Sequence, residues 1–230
     1  GKQKSYTITT AEQLAGLAVL VNGGTDFSGV TLKLGADLSL ERDSASGAQR
    51  SWTPIGTSIN RAFRGTFDGQ GHKITGLRAC NEGSDSALFG CVSGAKIENL
   101  TVCGSAEGKA AASYAAGIAA YADASTIQSC TAYVDVAADG THAGGIAAYI
   151  CNGTAVGSCA SYGAVSGASG VGGIMGVSYS GEDKIENCVN FGAVTGTKSG
   201  TYGTGGLAGR LAGTLTKIAN YGAVTSADRY

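Results

Sequence analysis

The sequence predicts an all-β protein, a right-handed single-stranded parallel β-helix of about seven rungs with an N-terminal capping α-helix. Three observations predict it. One pattern recurs four times at a period of 29 or 30 residues, short β-branched and aromatic runs alternate with polar turn clusters, and 39 of the 230 residues are glycine. Periods of this size are typical of solenoids, and such short runs are typical of strands. Parallel crossovers are right-handed in nearly all proteins.

Equivalent positions in successive copies carry similar residues. If the coils stack in parallel about 4.8 Å apart, each residue lies over its equivalent in the next coil. Three ladders are therefore predicted; the direction in which the second one faces stays open. They are Leu100, Cys130, Cys159, Cys188 and Ile218; Cys103, Tyr133, Tyr162, Phe191 and Tyr221; and Ala106, Val136, Val165, Val194 and Val224.

Each copy must also contain a bend and a corner. Ile185 and Cys188 both lie at inward positions but have opposite parity, so the strand has to bend between them. The Gly-Gly phrases, such as Gly172-Gly173, suit corners at which φ is positive or the next coil comes very close.

The N-terminal part contains one predicted helix, over residues 10–22. Thr10 and Gln13 have the spacing of a capping box, and Asn22-Gly23-Gly24 ends the helical pattern. An amphipathic helix at this place would cover the apolar end of the solenoid. Its apolar face consists of Leu14, Leu17, Ala18 and Val21.

The whole chain, residues 1–230, is expected to form a single domain. Residues 30–104 are predicted to form atypical first coils, with strands at Val30–Leu34 and Asp37–Leu40, and residues 105–225 form the four repeats of about 29 residues. The net charge of −1 leaves no basic surface for nucleic acid, and no apolar run is long enough to span a bilayer. No cofactor is expected.

Several longer phrases carry a resemblance to a known family. They are Trp52-Thr53-Pro54-Ile55-Gly56, Phe67-Asp68-Gly69-Gln70-Gly71-His72, Ile97-Glu98-Asn99-Leu100 and Gly205-Gly206-Leu207-Ala208-Gly209. In these phrases the chain resembles bacterial surface proteins with GLUG-motif repeats. The resemblance implies a pectate-lyase-like β-helix in a long, modular protein that is secreted or held at the cell surface and serves adhesion or display.

In some proteins of this kind the repeats accompany a zinc peptidase that cleaves immunoglobulin A. This chain has only two histidines, His72 and His142, and no His-Glu-x-x-His sequence. We therefore do not expect that activity, or a metal site, in this chain.

The seven cysteines do not have the spacing of a metal site. Cys130, Cys159 and Cys188 share a ladder position with leucine and isoleucine, which indicates small buried apolar side chains. A disulfide between Cys80 and Cys91 stays an open alternative.

The acidic residues do not form a catalytic set in the sequence. Asp68 comes closest, because its surroundings are similar to a turn phrase of polysaccharide-cleaving β-helices, but an Asx-type turn is the favoured interpretation. The remaining acids are dispersed, so the chain is predicted not to be an enzyme.

Aromatic residues give the best candidate binding surface. Tyr121 and Tyr149 occupy one outward position in successive coils, and other rings precede the Gly-rich phrases. Exposed tyrosines on a rigid sheet can contact sugars or proteins. The alternative is that these rings only cover corners. The candidate ligand-binding residues are Tyr114, Tyr121, Tyr149, Tyr202 and Arg210.

The leading hypothesis is a non-catalytic, extracellular adhesion or display module of a larger bacterial protein. Its partners would be a host glycan or protein and further domains of the same polypeptide, with no nucleic acid and no membrane insertion. One alternative is a carbohydrate-active lyase or hydrolase on the same fold. Another is a structural spacer without a ligand.

Overall fold

The chain winds into a parallel β-solenoid of about seven turns with one α-helix near its N-terminus, and the predicted fold class is thereby confirmed. The computed structural model describes residues 4–41, 51–81, 85–110, 113–198 and 201–227. Within these ranges, no helix has the length and apolar character needed to cross a bilayer.

The elements are short and follow one another closely. A 3₁₀ turn covers Ile59–Arg61. The other elements, in chain order, are β1 (Lys4–Ile8), α1 (Ala11–Asn22), β2 (Val30–Leu34), β3 (Leu38–Ser39), β4 (Thr66–Asp68), β5 (Lys73–Asn81), β6 (Phe89–Ser93), β7 (Lys96–Glu98), β8 (Thr101–Gly108), β9 (Tyr114–Ala116), β10 (Ala119–Asp123), β11 (Thr126–Gln128), β12 (Thr131–Ala138), β13 (His142–Gly144), β14 (Ala147–Cys151), β15 (Ala155–Gly157), β16 (Ala160–Ser161), β17 (Val165–Gly167), β18 (Val171–Gly172), β19 (Met175–Ser178), β20 (Lys184–Glu186), β21 (Val189–Asn190), β22 (Val194–Gly196), β23 (Thr204–Gly205), β24 (Ala208–Arg210), β25 (Thr214–Thr216), β26 (Ala219–Asn220) and β27 (Val224–Ser226).

One coil passes through four sheets in turn, and β9 to β12 show the order. The first sheet contains β9, β13, β18 and β23, and the second contains β6, β10, β14, β19 and β24. The third contains β1, β2, β4, β7, β11, β15, β20 and β25. The fourth contains β3, β5, β8, β12 and the paired short strands that follow it in later coils. The main apolar core runs between the sheets along the axis, and a smaller cluster of four alanines lies beside Tyr114.

Strand pairing places equivalent residues of successive coils side by side. Val136 lies opposite Val165, and Tyr133 lies opposite Cys103. The second ladder faces outward, which answers the question that the sequence left open. Its four aromatic rings are 48%, 40%, 43% and 72% exposed at Tyr133, Tyr162, Phe191 and Tyr221. We call these four residues the exposed aromatic ladder.

The bend predicted between Ile185 and Cys188 lies at Asn187, which has a left-handed φ of 53°. This residue separates β20 from β21 and turns the chain from the third sheet into the fourth. The left-handed residue Asn187 interrupts the alternation of side chains, so Cys188 points inward as Ile185 does. The equivalent residues in other coils, also left-handed, are Asn99, Ser129, Ser158 and Lys217.

Close approach, rather than positive φ, explains the Gly-Gly phrases. Gly173 is not among the residues with positive φ. A Cβ atom on Gly173 would overlap the carbonyl oxygen of Gly206 and the side-chain amide of Asn190. Glycine is therefore required because the next coil and the interior side chain leave no space.

The helix covers the N-terminal end as predicted. The hydroxyl of Thr10 accepts a hydrogen bond from the Gln13 backbone N–H at 3.3 Å, and the Gln13 side-chain oxygen accepts one from the Thr10 N–H at 3.3 Å. The amide of Asn22 donates to Pro54 O at 3.0 Å, so the end of the helix is fixed to the Trp52 phrase. The buried residues are Leu14, Leu17, Ala18 and Val21.

One strand was not predicted. β1 precedes the helix and pairs with β2 along its whole length, from Lys4 opposite Val30 to Ile8 opposite Leu34. The first coil therefore begins before the helix. Only Ile8 of β1 is buried, so the strand lacks the regular alternation of apolar residues that would have indicated it.

Candidate functional site

Side chains from the first and second sheets meet in the corner between these sheets. Six aromatic side chains and one guanidinium contact one another there. We call this group the aromatic corner. It consists of Tyr114, Tyr121, His142, Tyr149, Tyr179, Tyr202 and Arg210.

Strand pairing positions these side chains. His142 lies opposite Tyr114 in the first sheet, and Tyr121 lies opposite Tyr149 in the second. Arg210 continues the second row, opposite Val177. Because paired parallel strands hold equivalent residues about 4.8 Å apart, planar side chains in one row can stack.

The rings form one continuous set of contacts across the corner. The ring centroids of Tyr121 and Tyr149 are 5.0 Å apart with an interplanar angle of 8°. Tyr114 and His142 are 5.1 Å apart at 8°. Tyr114 also stacks on Tyr149 at 5.5 Å, which joins the two sheets. These separations are those of favourable aromatic pairs.

Arg210 lies at the end of the aromatic corner that is nearest to the C-terminus. Tyr179 stacks on Tyr149 at 5.2 Å and meets Tyr202 edge-on at 6.0 Å, with the two hydroxyls in contact. The guanidinium carbon of Arg210 lies 4.2 Å from the ring centroid of Tyr179 and 5.1 Å from that of Tyr202. Both distances are within the range of cation–π attraction.

The aromatic corner is only partly accessible. His142 is 5% exposed and Tyr179 is 41% exposed, while the other rings are half-buried. Burial lowers the pKa of His142 below its ordinary value and raises the pKa of Tyr149 to about 12. Both side chains are therefore neutral near pH 7, and Arg210 carries the positive charge of the group.

The structure brings together all five residues that the sequence nominated, namely Tyr114, Tyr121, Tyr149, Tyr202 and Arg210. The register pairs Val171 with Thr204, so Gly203 lies opposite Gly170. Tyr202 is the residue before Gly203. Sequence reasoning missed Tyr179. The strand register could have indicated Tyr179, because this residue directly follows Ser178, which lies opposite Ile150.

A pair of carboxylates on the third sheet was also missed. Asp68 and Glu98 lie opposite each other on β4 and β7. The two residues are 30 positions apart in the sequence, which equals the repeat period, so the sequence could have indicated this pair. A shallow cavity of about 470 Å³ lies beside Glu98, and its lining includes Lys33 and Lys96 but not Asp68.

Neighbouring side chains already hold both carboxylates. Asp68 accepts hydrogen bonds from the Gln70 N–H and the Asn99 amide, each at 3.0 Å, and so forms the expected Asx-type turn. Partial burial would raise the pKa of Asp68, but these hydrogen bonds outweigh it and hold the pKa below its ordinary value. Glu98 contacts the Lys96 ammonium at 2.8 Å and the Gln128 amide at 2.9 Å.

Other acidic groups have structural partners. Asp183 is fully buried and accepts hydrogen bonds from the backbone N–H groups of Gly153, Thr154 and Ser180 and from the Ser178 hydroxyl, at 2.8 to 3.1 Å. In the part of the chain that the structure describes, no three His, Cys, Asp or Glu side chains are grouped as metal ligands.

All seven cysteines lie in described ranges and are free thiols, so Cys80 and Cys91 are not paired. Cys130 and its two stacked neighbours are buried, and each donates to the carbonyl two residues earlier at 3.2 Å. Burial raises the pKa of Cys91 to about 12 and that of Cys151 to about 11. A thiol with such a pKa is protonated at neutral pH and a poor nucleophile.

Comparison with known proteins supports the fold. No protein-family model and no curated protein matches the chain. A crystal structure of a putative immunoglobulin A1 protease from Bacteroides ovatus is similar, with a TM-score of 0.78 and 24% sequence identity over 99% of this chain and 69% of that chain. At this identity the similarity shows that the two chains share a β-helix fold.

Proposed function

We propose that the chain is a non-catalytic adhesion or display module of a larger bacterial protein, and that its aromatic corner binds a host glycan or protein. The observation that carries the proposal is the convergence of six aromatic side chains and Arg210, contributed by four successive coils, on one partly accessible surface.

The fold does not require aromatic residues at these positions. In the same row of the second sheet, Cys91 precedes Tyr121 and Val177 follows Tyr149. In the first sheet, Gly170 lies beside His142. Since the solenoid accepts small side chains there, the concentration of rings in the coils between favours a role in binding.

An extracellular position at the bacterial surface is part of the proposal. The GLUG-like phrases support it, because proteins with that repeat are secreted or surface-held. The chemistry of the cysteines is compatible with it. Buried thiols with raised pKa values, such as Cys91 and Cys151, resist oxidation outside the cell.

A carbohydrate-active enzyme is the second candidate, and the observation that favours it is the pairing of Asp68 with Glu98, of which Glu98 lines a cavity. Two carboxylates on neighbouring coils are the usual requirement for glycoside hydrolysis. We rank it second because hydrogen bonds and an ion pair already occupy both groups. A third possibility, the spacer without a ligand, does not account for the aromatic corner.

One incubation separates these functions. The purified chain is mixed with host and plant polysaccharides and with host surface proteins, with and without Ca²⁺. Two quantities are measured, depletion of the protein onto the immobilised partner and release of new sugar ends. We expect depletion without release. Tyr121→Ala and Tyr149→Ala should weaken it at least about tenfold, because each truncates a central ring of the contact surface.

Tyr162→Ala is the matched control, since it removes a tyrosine from the exposed aromatic ladder on another sheet. It should leave depletion unchanged, and melting curves of all variants show whether they are folded. Release of sugar ends that Asp68→Asn abolishes would establish the enzyme instead. A chain that neither depletes nor cleaves any partner would contradict the proposal in favour of the spacer.

A further inference from the structure

We propose that Tyr179, Tyr202 and Arg210 form a subsite for an acidic sugar, one that carries a carboxylate on its ring. The inference rests on the proposed function and narrows its ligand class. It starts from the end of the aromatic corner, where the only guanidinium of the group lies over two tyrosine rings.

The position of Arg210 is fixed by both backbone and rings. Its strand, β24, pairs with β19, and its guanidinium lies 4.2 Å and 5.1 Å from the two ring centroids. A guanidinium held in this way loses little further conformational entropy when it binds a ligand, because its orientation is already restricted. Aromatic contacts also remove part of its hydration, which strengthens its attraction to an anion.

The charge of Arg210 has no acidic partner within the described ranges. The ion pairs found there join His72 with Asp37, Lys96 with Glu98, and Lys109 with Glu107. A guanidinium has five N–H donors in a planar fork that matches the two oxygens of a carboxylate. The fork of Arg210 can therefore donate two hydrogen bonds to the carboxylate of a ligand.

The surroundings of Arg210 favour a sugar over an acidic peptide. Tyr149 and Arg210, from the coils on either side, cover the ring of Tyr179 at 5.2 Å and 4.2 Å. The 41% of Tyr179 that is exposed is thus chiefly its edge, and its hydroxyl touches that of Tyr202. Two phenol groups beside a guanidinium match hydroxyls beside a carboxylate, the arrangement on an acidic sugar.

Apart from Arg210, the titratable side chains that contact Tyr179 and Tyr202 in the described ranges are uncharged, and Asp85 lies at the other end of the aromatic corner, beside Tyr114. The pKa of Tyr179 is raised mainly by the hydrogen bond with Tyr202 and, to a smaller extent, by burial, so its phenol stays neutral. His142, which meets Tyr202 at 5.4 Å, is neutral because burial lowers its pKa. The carboxylate of Asp183, near Ser178 and Ser180 in sequence, is enclosed by its four hydrogen bonds.

The test compares acidic ligands with their methyl esters, which lack the negative charge. Trigalacturonic acid and sialyllactose, each paired with its methyl ester, are titrated into the full chain by calorimetry at low salt. We expect at least one acid to bind about tenfold more tightly than its neutral counterpart, as a charge-assisted bidentate contact requires. The difference should shrink as salt is added.

Variants assign the effect to residues. Arg210→Gln should abolish the preference for the acid, whereas Arg210→Lys should retain part of it. Tyr179→Phe should weaken both members of a pair by removing one hydroxyl. Arg61→Gln is the control for charge, because Arg61 is an exposed arginine next to β6, at the opposite end of the second sheet. It should change neither affinity.

The outcomes separate this inference from the proposed function. Equal affinity for acid and neutral ligand, still lost in Tyr149→Ala, would overturn the acidic subsite and leave the binding module intact. Absence of binding to every glycan and host protein would overturn both. Binding of an aspartate-rich peptide through Arg210, without any sugar, would overturn the choice of a sugar. Because the first comparison uses the unmodified chain, it holds even if a variant fails to fold.

Discussion

Asp85 lies beside the aromatic corner, and its carboxylate accepts a hydrogen bond from the Tyr114 backbone N–H at 2.9 Å. Burial raises its pKa from 3.8 to about 6, although that hydrogen bond acts in the opposite direction. The folded state therefore holds a proton on Asp85 more strongly than the unfolded state does. The corresponding stability is present at low pH and is lost as pH rises from about 4 through about 6.

We predict that Asp85→Asn stabilises the protein at pH 7.5 by about 2 kcal/mol and has little effect at pH 3.5. Asparagine keeps an oxygen that can accept a hydrogen bond from the Tyr114 N–H and removes the partly buried charge. Urea unfolding at the two pH values measures the difference. Asp26→Asn serves as the control, since hydrogen bonds from Ser28 lower the pKa of Asp26 and its replacement should not stabilise at pH 7.5. Equal effects of Asp85→Asn at both pH values would contradict the prediction.

At the scale of elements, the period was sufficient to predict the ladders of the repeats and their register, whereas β1, which lies before the repeats, was missed. It could not show which way the exposed aromatic ladder faces, because the parity of Tyr133 depends on where the bend falls. The bend lies at a left-handed serine, Ser129, and serine has no strong preference for that conformation. Tyr179 and the Asp68–Glu98 pair became visible only when the register was extended beyond the repeated phrases.

The Gly-Gly phrases allow a sharp test of coil packing. We predict that Gly173→Ala destabilises the protein by about 3 kcal/mol, because the new methyl group overlaps Gly206 O and the Asn190 side chain. Chemical unfolding measures the loss. Gly181→Ala is the control, since nothing lies within 4 Å of its added carbon, and it should change stability by less than about 0.5 kcal/mol. Similar losses in both variants would show that chain flexibility matters more than packing.

The exposed fraction of equivalent side chains differs from coil to coil along the solenoid. In the valine ladder, Val136, Val165 and Val194 are 3%, 1% and 1% exposed, whereas Val224 is 45% exposed. In a solenoid each coil contacts only its neighbours, so local stability follows local burial. The helix α1 covers the other end, where Leu14 is fully buried.

We predict that, in a protein of these 230 residues, backbone amides of β26 and β27 exchange with deuterium at least about tenfold faster than those of β12, because β26 and β27 pair with a neighbouring coil on one side. Exchange followed by mass spectrometry at neutral pH measures this. β17 lies in the same sheet between covered coils and should behave like β12. A single common rate for all three regions would indicate that the solenoid opens only as one unit.

The slot opposite the Gly-Gly phrases contains, in successive coils, Ala132, Ser161 and Asn190, which are buried, and Asn220, which is exposed. Valines at every level of a ladder would pair equally well after a slip of one whole coil. The two asparagines would not, because the amide of Asn190 donates to Asn220 Oδ1 at 2.7 Å and finds such a partner at one level only. The unequal residues in this slot thus specify the order in which the coils of a repetitive chain stack on one another.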